Sequence, residues 1–237
     1  MENSKGIFYY LDNIWSIKGE FWVASQQTLV MVIIATIIAV LFGLAIGISL
    51  HLTSPNQLWK NKWANKTLGT LVDFLRAFPF VILMVAISPF SESLINILSG
   101  NNPTAFFGTY TASVALSVAA IPYFARLVEQ NLREIPKGII EAAQAMGASN
   151  TTIIFRVLIT EARAGIVSST TVLIISILSY SAAAGMIGGG GLGDLAIRYG
   201  YNRYQTDIMI AVVILLSIIV IMIQALGNFI TRKIDKR

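Results

Sequence analysis

The chain has 237 residues, of which 55% are hydrophobic and 12% charged, and its mean hydropathy is +0.71. A soluble domain carries about 25% charged residues, so half that share, set around long uncharged runs, excludes the ordinary soluble classes and points to an integral membrane protein. The formal net charge is +5 and there is no cysteine, which removes disulfides and thiolate metal sites; in a membrane protein the position of the cations informs more than their sum, and nucleic acid is not an expected partner.

Residues 1–25 read as an exterior N-terminal segment. They lack the basic start, short apolar core and small-residue cleavage site of a secretory signal, so the segment is expected to stay in the mature protein. Residues 21–50 carry no charge and are long enough to cross a bilayer, giving span 1. Within it Ala35, Ala39, Gly43 and Gly47 recur every fourth position, a spacing that lines one helix face and permits close helix approach. Span 2 is expected over 68–88. It contains Pro79 and, near its start, Asp73 and Arg76, which are spaced to pair along a helix. Asp73 is also the one acid near membrane depth, and its alternative role is a proton relay. Gly100, Asn101, Asn102 and Pro103 make a turn before span 3 at 104–125. Span 4 follows at 164–184, then a glycine-rich stretch, then span 5 at 208–230, and residues 225–237 form the end of span 5 and a basic tail. No period-2 alternation marks a closed barrel, so the spans are helices and the fold is all-α with five crossings.

Five crossings place the termini on opposite sides. One side holds Lys60, Lys62, Lys66, Arg126, Arg133, Lys137, Arg156, Arg163, Arg232, Lys233, Lys236 and Arg237; the other holds Lys5, Lys18, Arg198 and Arg203. The cation-rich side is expected in the cytoplasm, which puts the N-terminus outside and the C-terminus inside the plasma membrane.

The segment 126–163, between spans 3 and 4, is the longest stretch on the cytoplasmic side. Pro136 can open a helix whose Ile139, Ile140, Ala143 and Met146 form an apolar stripe. Gly147 permits a sharp turn, and Ser149 or Asn150 can cap a second short helix through Ile153, Ile154, Phe155 and Val157. Such a helical hairpin fits a groove on a partner protein; the other reading is an amphipathic hairpin lying on the headgroups.

Glu141-Ala142-Ala143, three residues, Gly147, nine residues, then Val157-Leu158-Ile159-Thr160 resembles the EAA loop of bacterial ABC importer permeases of the binding-protein-dependent family. Thr160 stands where that pattern usually has proline and Ile159 where it has leucine; Thr160 is expected to cap the start of span 4. The resemblance runs from about Gln26 to Gln224, the expected permease domain. Residues 74–80, 121–129 and 188–193 are similar to the methionine-importer branch. It implies a homodimer around a central path and two cytoplasmic ATPase subunits that each grip one EAA loop. It also implies an external binding protein or lipoprotein that delivers substrate, and methionine, L- or D-, as that substrate. Another small amino acid or a sulfur compound is the alternative within the family. Glu141, Ala142, Ala143 and Gly147 would then transmit nucleotide-driven closure.

The chain lacks G-x-x-x-x-G-K-[ST], so ATP and Mg are expected on a partner subunit, with no catalytic residue and no cofactor here. The run Gly188 to Gly193 formally matches G-x-G-x-x-G, yet follows a membrane helix rather than a strand; Gly188, Gly190, Gly191 and Gly193 are a candidate outer-gate turn. Ser176, Ser179, Tyr180 and Ser181 place hydroxyls in span 4 and Met186 follows. They are candidates for the translocation path, with hydrogen bonding between helices as the favoured role. His51, the single histidine, is read as an interfacial residue, and no metal or Ser-His-Asp site is expected. An ion-coupled secondary transporter is the rival of a different class; it calls for buried ionisable groups at mid-membrane or paired half-helices.

Overall fold

A computed structural model describes residues 15–55, 57–100 and 107–235, Met186 by its backbone alone. The described residues are almost wholly helical, in the order α1 (Lys18–Thr53), α2 (Lys62–Ala77), α3 (Phe80–Leu98), α4 (Phe107–Arg133), α5 (Lys137–Ala145), α6 (Asn150–Ala184), the short α7 (Leu192–Leu195) and α8 (Thr206–Ile234). Among them α1, α3, α4, α6 and α8 are long and apolar enough to cross a membrane. The chain is an all-α, multi-pass membrane protein. The turn expected at 101–103 and the expected start of span 3 at 104 lie outside the described residues.

Two expectations are corrected. Residues 68–88 are not one helix. Pro79 has no N–H to give and drives the residue before it out of the helical region; Phe78 sits at φ −74°, ψ 137° and ends α2, so α3 starts afresh at Phe80. Thr160 does not cap span 4. It lies inside α6, which runs unbroken from the hairpin through the span, with a π-helical stretch over Ile153–Leu158. A proline at 160 would remove a helical hydrogen bond; threonine keeps its N–H, and the helix continues.

The chain divides into two compact units. One comprises 1–35, 80–117 and 175–222, the other 36–79, 118–174 and 223–237. Among the described residues, the cations assigned above to one side all fall in the second unit, and those assigned to the other in the first. In the first unit Ala24, Leu192, Leu195, Tyr199, Ile208 and Val212 form a buried cluster, with Phe21 and Leu215 packed against it. In the second, Phe124, Val128, Leu132, Ile153 and Leu158 are buried. There the small-residue face of α1 meets α4: a Cβ on Gly43 would lie 3.0 Å from the Ile121 carbonyl oxygen, and one on Gly47 2.5 Å from that of Ala125. Only glycine allows backbones this close.

Candidate functional site

The hairpin that carries the EAA residues belongs wholly to the second unit. Its first helix, α5, opens after Pro136, which needs no donor at a helix start. It closes with the N–H of Gly147 donating to the Gln144 carbonyl (2.9 Å) and that of Ala148 to the Ala143 carbonyl (3.1 Å). This pair of bonds is the Schellman closure, which requires a left-handed residue at the first position past the helix; Gly147 supplies it at φ +76°. Ser149 then accepts from the Thr152 N–H (3.3 Å) and caps α6. The four EAA residues separate by face. Ala143 is buried against its own chain beside Ile140, whereas Glu141, Ala142 and Gly147 are exposed, as is Met146 at 82%. A cleft of about 230 Å³ lies along α5, lined by Gln57, Leu58, Lys137, Ile140, Glu141 and Gln144.

The stem of the hairpin is fixed by buried charge. Glu129, 2% exposed, accepts from Arg126 Nη1 (2.5 Å) and Arg133 Nη2 (2.6 Å), the two helical pairings its spacing predicts. Arg126 also reaches Asp73 with two donors, Nε to Oδ1 at 3.0 Å and Nη2 to Oδ2 at 2.6 Å, and donates to the Gly69 carbonyl (3.2 Å). Two-pronged arginine–carboxylate contacts hold orientation as well as charge. Asp73 does approach Arg76, at 3.7 Å, but Arg126 is its principal partner. That contact spans 53 positions, so no local spacing signals it. His51 lies buried at the end of α1, 1% exposed.

The span 4 candidates occupy several environments. Ser179, exposed, donates to the Ile175 carbonyl (3.0 Å), and Ser181, buried, to the Leu178 carbonyl (2.7 Å). Both bonds stay within the helix, which corrects the expectation of bonding between helices for these two. Ser176 is half-buried. Tyr180 stacks on Phe80, with ring centroids 4.0 Å apart and planes 14° from parallel. Met186 falls in the single 3₁₀ turn that ends α6, and its side chain lies outside the described residues.

The glycine turn is enclosed within the first unit. The N–H of Gly191 donates to Gln27 Oε1 and that of Leu192 to Thr28 Oγ1, both at 2.8 Å, while Thr109 Oγ1 donates to the Gly189 carbonyl (3.0 Å). Gly188, Gly190 and Gly191 all have positive φ, and Gly193 lies in α7 against Ala182. Next to it, the Tyr199 hydroxyl donates to Glu20 Oε1 (2.5 Å), and the Arg203 guanidinium sits 4.3 Å from the Tyr199 ring centre. The carboxylate holds the phenol proton and raises the Tyr199 pKa above its ordinary value. None of these partners is foreseeable from spacing, since Gln27 and Thr28 lie 164 positions before the groups they bind.

A family model described as the binding-protein-dependent transport system inner membrane component matches residues 39–237. The chain belongs to this family. Relatives along nearly the full length include the probable D-methionine transport system permease protein MetI of Vibrio cholerae, 43% identical over 90% of this chain and 92% of the relative. The methionine import system permease protein MetP of Bacillus subtilis is 40% identical over 92% and 95%. Among solved structures, a chain of the MetNI methionine ABC transporter in an inward-facing conformation superposes with a TM-score of 0.85 at 35% identity, covering 93% of this chain and 99% of that one. Membership makes the chain an inner-membrane permease component.

Proposed function

We propose that the chain is the permease subunit of an ATP-driven methionine importer, working as a homodimer with two separate cytoplasmic ATPase subunits and an external binding protein. The observation that carries the mechanism is the divided hairpin: Ile140 and Ala143 bury against the chain, while Glu141, Ala142 and Met146 are free to meet a partner. Likeness to permeases named for methionine supports the substrate. The cation distribution supports a cytoplasmic hairpin, with the N-terminus outside and the C-terminus inside. ATP and Mg act on the ATPase subunit, and closure there moves the hairpin; nucleotide drives the switch only through contacts that differ between the two states. Gly147 keeps the turn in its closed geometry, and α6 carries the displacement into span 4 without a break at 160. In the path, Ser176, Ser179, Ser181, Tyr180 and Met186 are the residues proposed to meet the moving solute, and the glycine turn at 188–193 its outer border. Asp73 is a poor proton relay, because Arg126 holds both of its oxygens.

Reconstitution with the ATPase and binding protein tests this reading. Uptake of radiolabelled L- or D-methionine should require ATP and persist without an ion gradient. Uptake by the permease alone, driven by sodium or protons, would refute it.

A further inference from the structure

The break at Phe78–Pro79 leaves α2 as a separate helix of 16 residues with two unlike faces. One is tied to its own chain: Val72 is buried, and Asn65 Nδ2 donates to the Leu50 carbonyl (2.8 Å) and to Thr53 Oγ1 (3.2 Å) at the end of α1. These bonds fix which side points away. That side carries Trp63, Leu71 and Phe74, exposed by 81%, 54% and 58%, and Trp59 just before the helix is 52% exposed. With Lys66, Thr67 and Thr70 the first three line a shallow groove of about 450 Å³. Lys60 and Lys62 are exposed at the helix start, and Lys66 stands one turn beyond Lys62.

We propose that α2 is a membrane-surface anchor, seated with Trp63, Leu71 and Phe74 in the acyl–headgroup boundary and with Lys60, Lys62 and Lys66 on the phosphates of anionic lipids. Exposed tryptophans beside lysines are the side chains that sit at a bilayer's headgroup level, the rings at the boundary and the ammonium groups in the polar layer. An amphipathic helix with an aromatic-aliphatic face and basic flank binds in the plane of the interface, and anionic lipid strengthens it. Continuity favours the same occupant, since α2 leads within two residues into the membrane-crossing α3. A second copy fits this face less well: a two-fold contact sets the same patch against itself and would gather the lysines of both chains. The inference goes beyond transport and rests on the proposed function only for the leaflet that α2 faces.

The test uses the full chain in lipid nanodiscs, with Trp63 as sole tryptophan (Trp15→Phe, Trp22→Phe, Trp59→Phe). Its emission is read in brominated phosphatidylglycerol and brominated phosphatidylcholine at equal mole fraction. Trp63 should be quenched more strongly by the anionic lipid, and salt should reduce the difference. Changing Lys60, Lys62 and Lys66 together to Gln should cut the preference at least about fivefold, the weight of one lysine at an anionic surface; the triple Lys→Arg variant should retain it. Equal quenching by the two lipids would overturn headgroup recognition, and no quenching by either would show that protein covers the face. Neither readout involves ATP or methionine. The leaflet is read separately, by labelling a Gln57→Cys variant with an impermeant maleimide in right-side-out and inverted vesicles: labelling in the inverted ones supports the cytoplasmic placement, and labelling in the right-side-out ones overturns it.

Discussion

Two glycine turns interrupt the helices, and they are built to opposite ends. At 188–193 side chains from α1 and α4 reach the turn, and a Cβ on Gly193 would overlap the Ala182 backbone. At Gly147 the backbone is equally left-handed, but nothing stands within 4 Å of where a Cβ would be. In the first turn Gly189, Gly190, Gly191 and Gly193 are hemmed in by neighbours, and Gly188 alone resembles Gly147, which is glycine because of its φ. A turn hemmed in over 189–193 leaves little surface for a partner, whereas an open one on a fixed stem offers its surface to a second protein. That contrast is the physical basis for placing the partner at the hairpin.

The widest break in the comparison comes from the stem. Glu129→Ala removes the buried acid that Arg126 and Arg133 share and leaves Arg126 only Asp73, and loss of one member of a buried ion group costs about 3 kcal/mol or more. A lowered thermal midpoint of the permease in detergent should report it. Gly193→Val attacks the enclosed turn by overpacking and should cost about 2 kcal/mol by the same assay. Gly147→Ala meets no neighbour, so only the left-handed backbone opposes it, at about 1 kcal/mol; a loss equal to that of Gly193→Val would erase the distinction drawn here. The smallest effect concerns pH. The raised Tyr199 pKa means that the protonated phenol is the form favoured by Glu20, so its contribution is complete below about pH 10 and is lost as pH rises through the folded-state value. Tyr199→Phe should flatten the fall in thermal midpoint across that alkaline range, and an unchanged profile would show that the bond carries no weight.

Much of this is legible in residue order, because membrane helices announce themselves by uncharged length and hairpin turns by glycine. The stripe Ala35, Ala39, Gly43, Gly47 reads as a packing face, and Glu129 as the partner of Arg126 and Arg133, since helical neighbours are three or four apart. What cannot be read joins distant positions. Spacing pairs Asp73 with Arg76 because Arg126, its principal partner, lies 53 residues away. Gln27 and Thr28 give no sign of binding the turn after Gly190. The two corrected helix ends share a cause in the chemistry of proline. Pro79 is strong enough to part α2 from α3 inside an otherwise apolar stretch, and Thr160, at a position where proline is usual, keeps the N–H that proline lacks and so continues the helix.

The central claim is that the free face of α5 is gripped by an ATPase from the cytoplasm. Its most direct test is a Met146→Cys variant, co-reconstituted with the ATPase subunit and treated with a short bifunctional thiol reagent with and without ATP. A permease–ATPase adduct whose yield changes with nucleotide is the expected result; no adduct in either state, or reaction of the introduced thiol only from the exterior face, would contradict it.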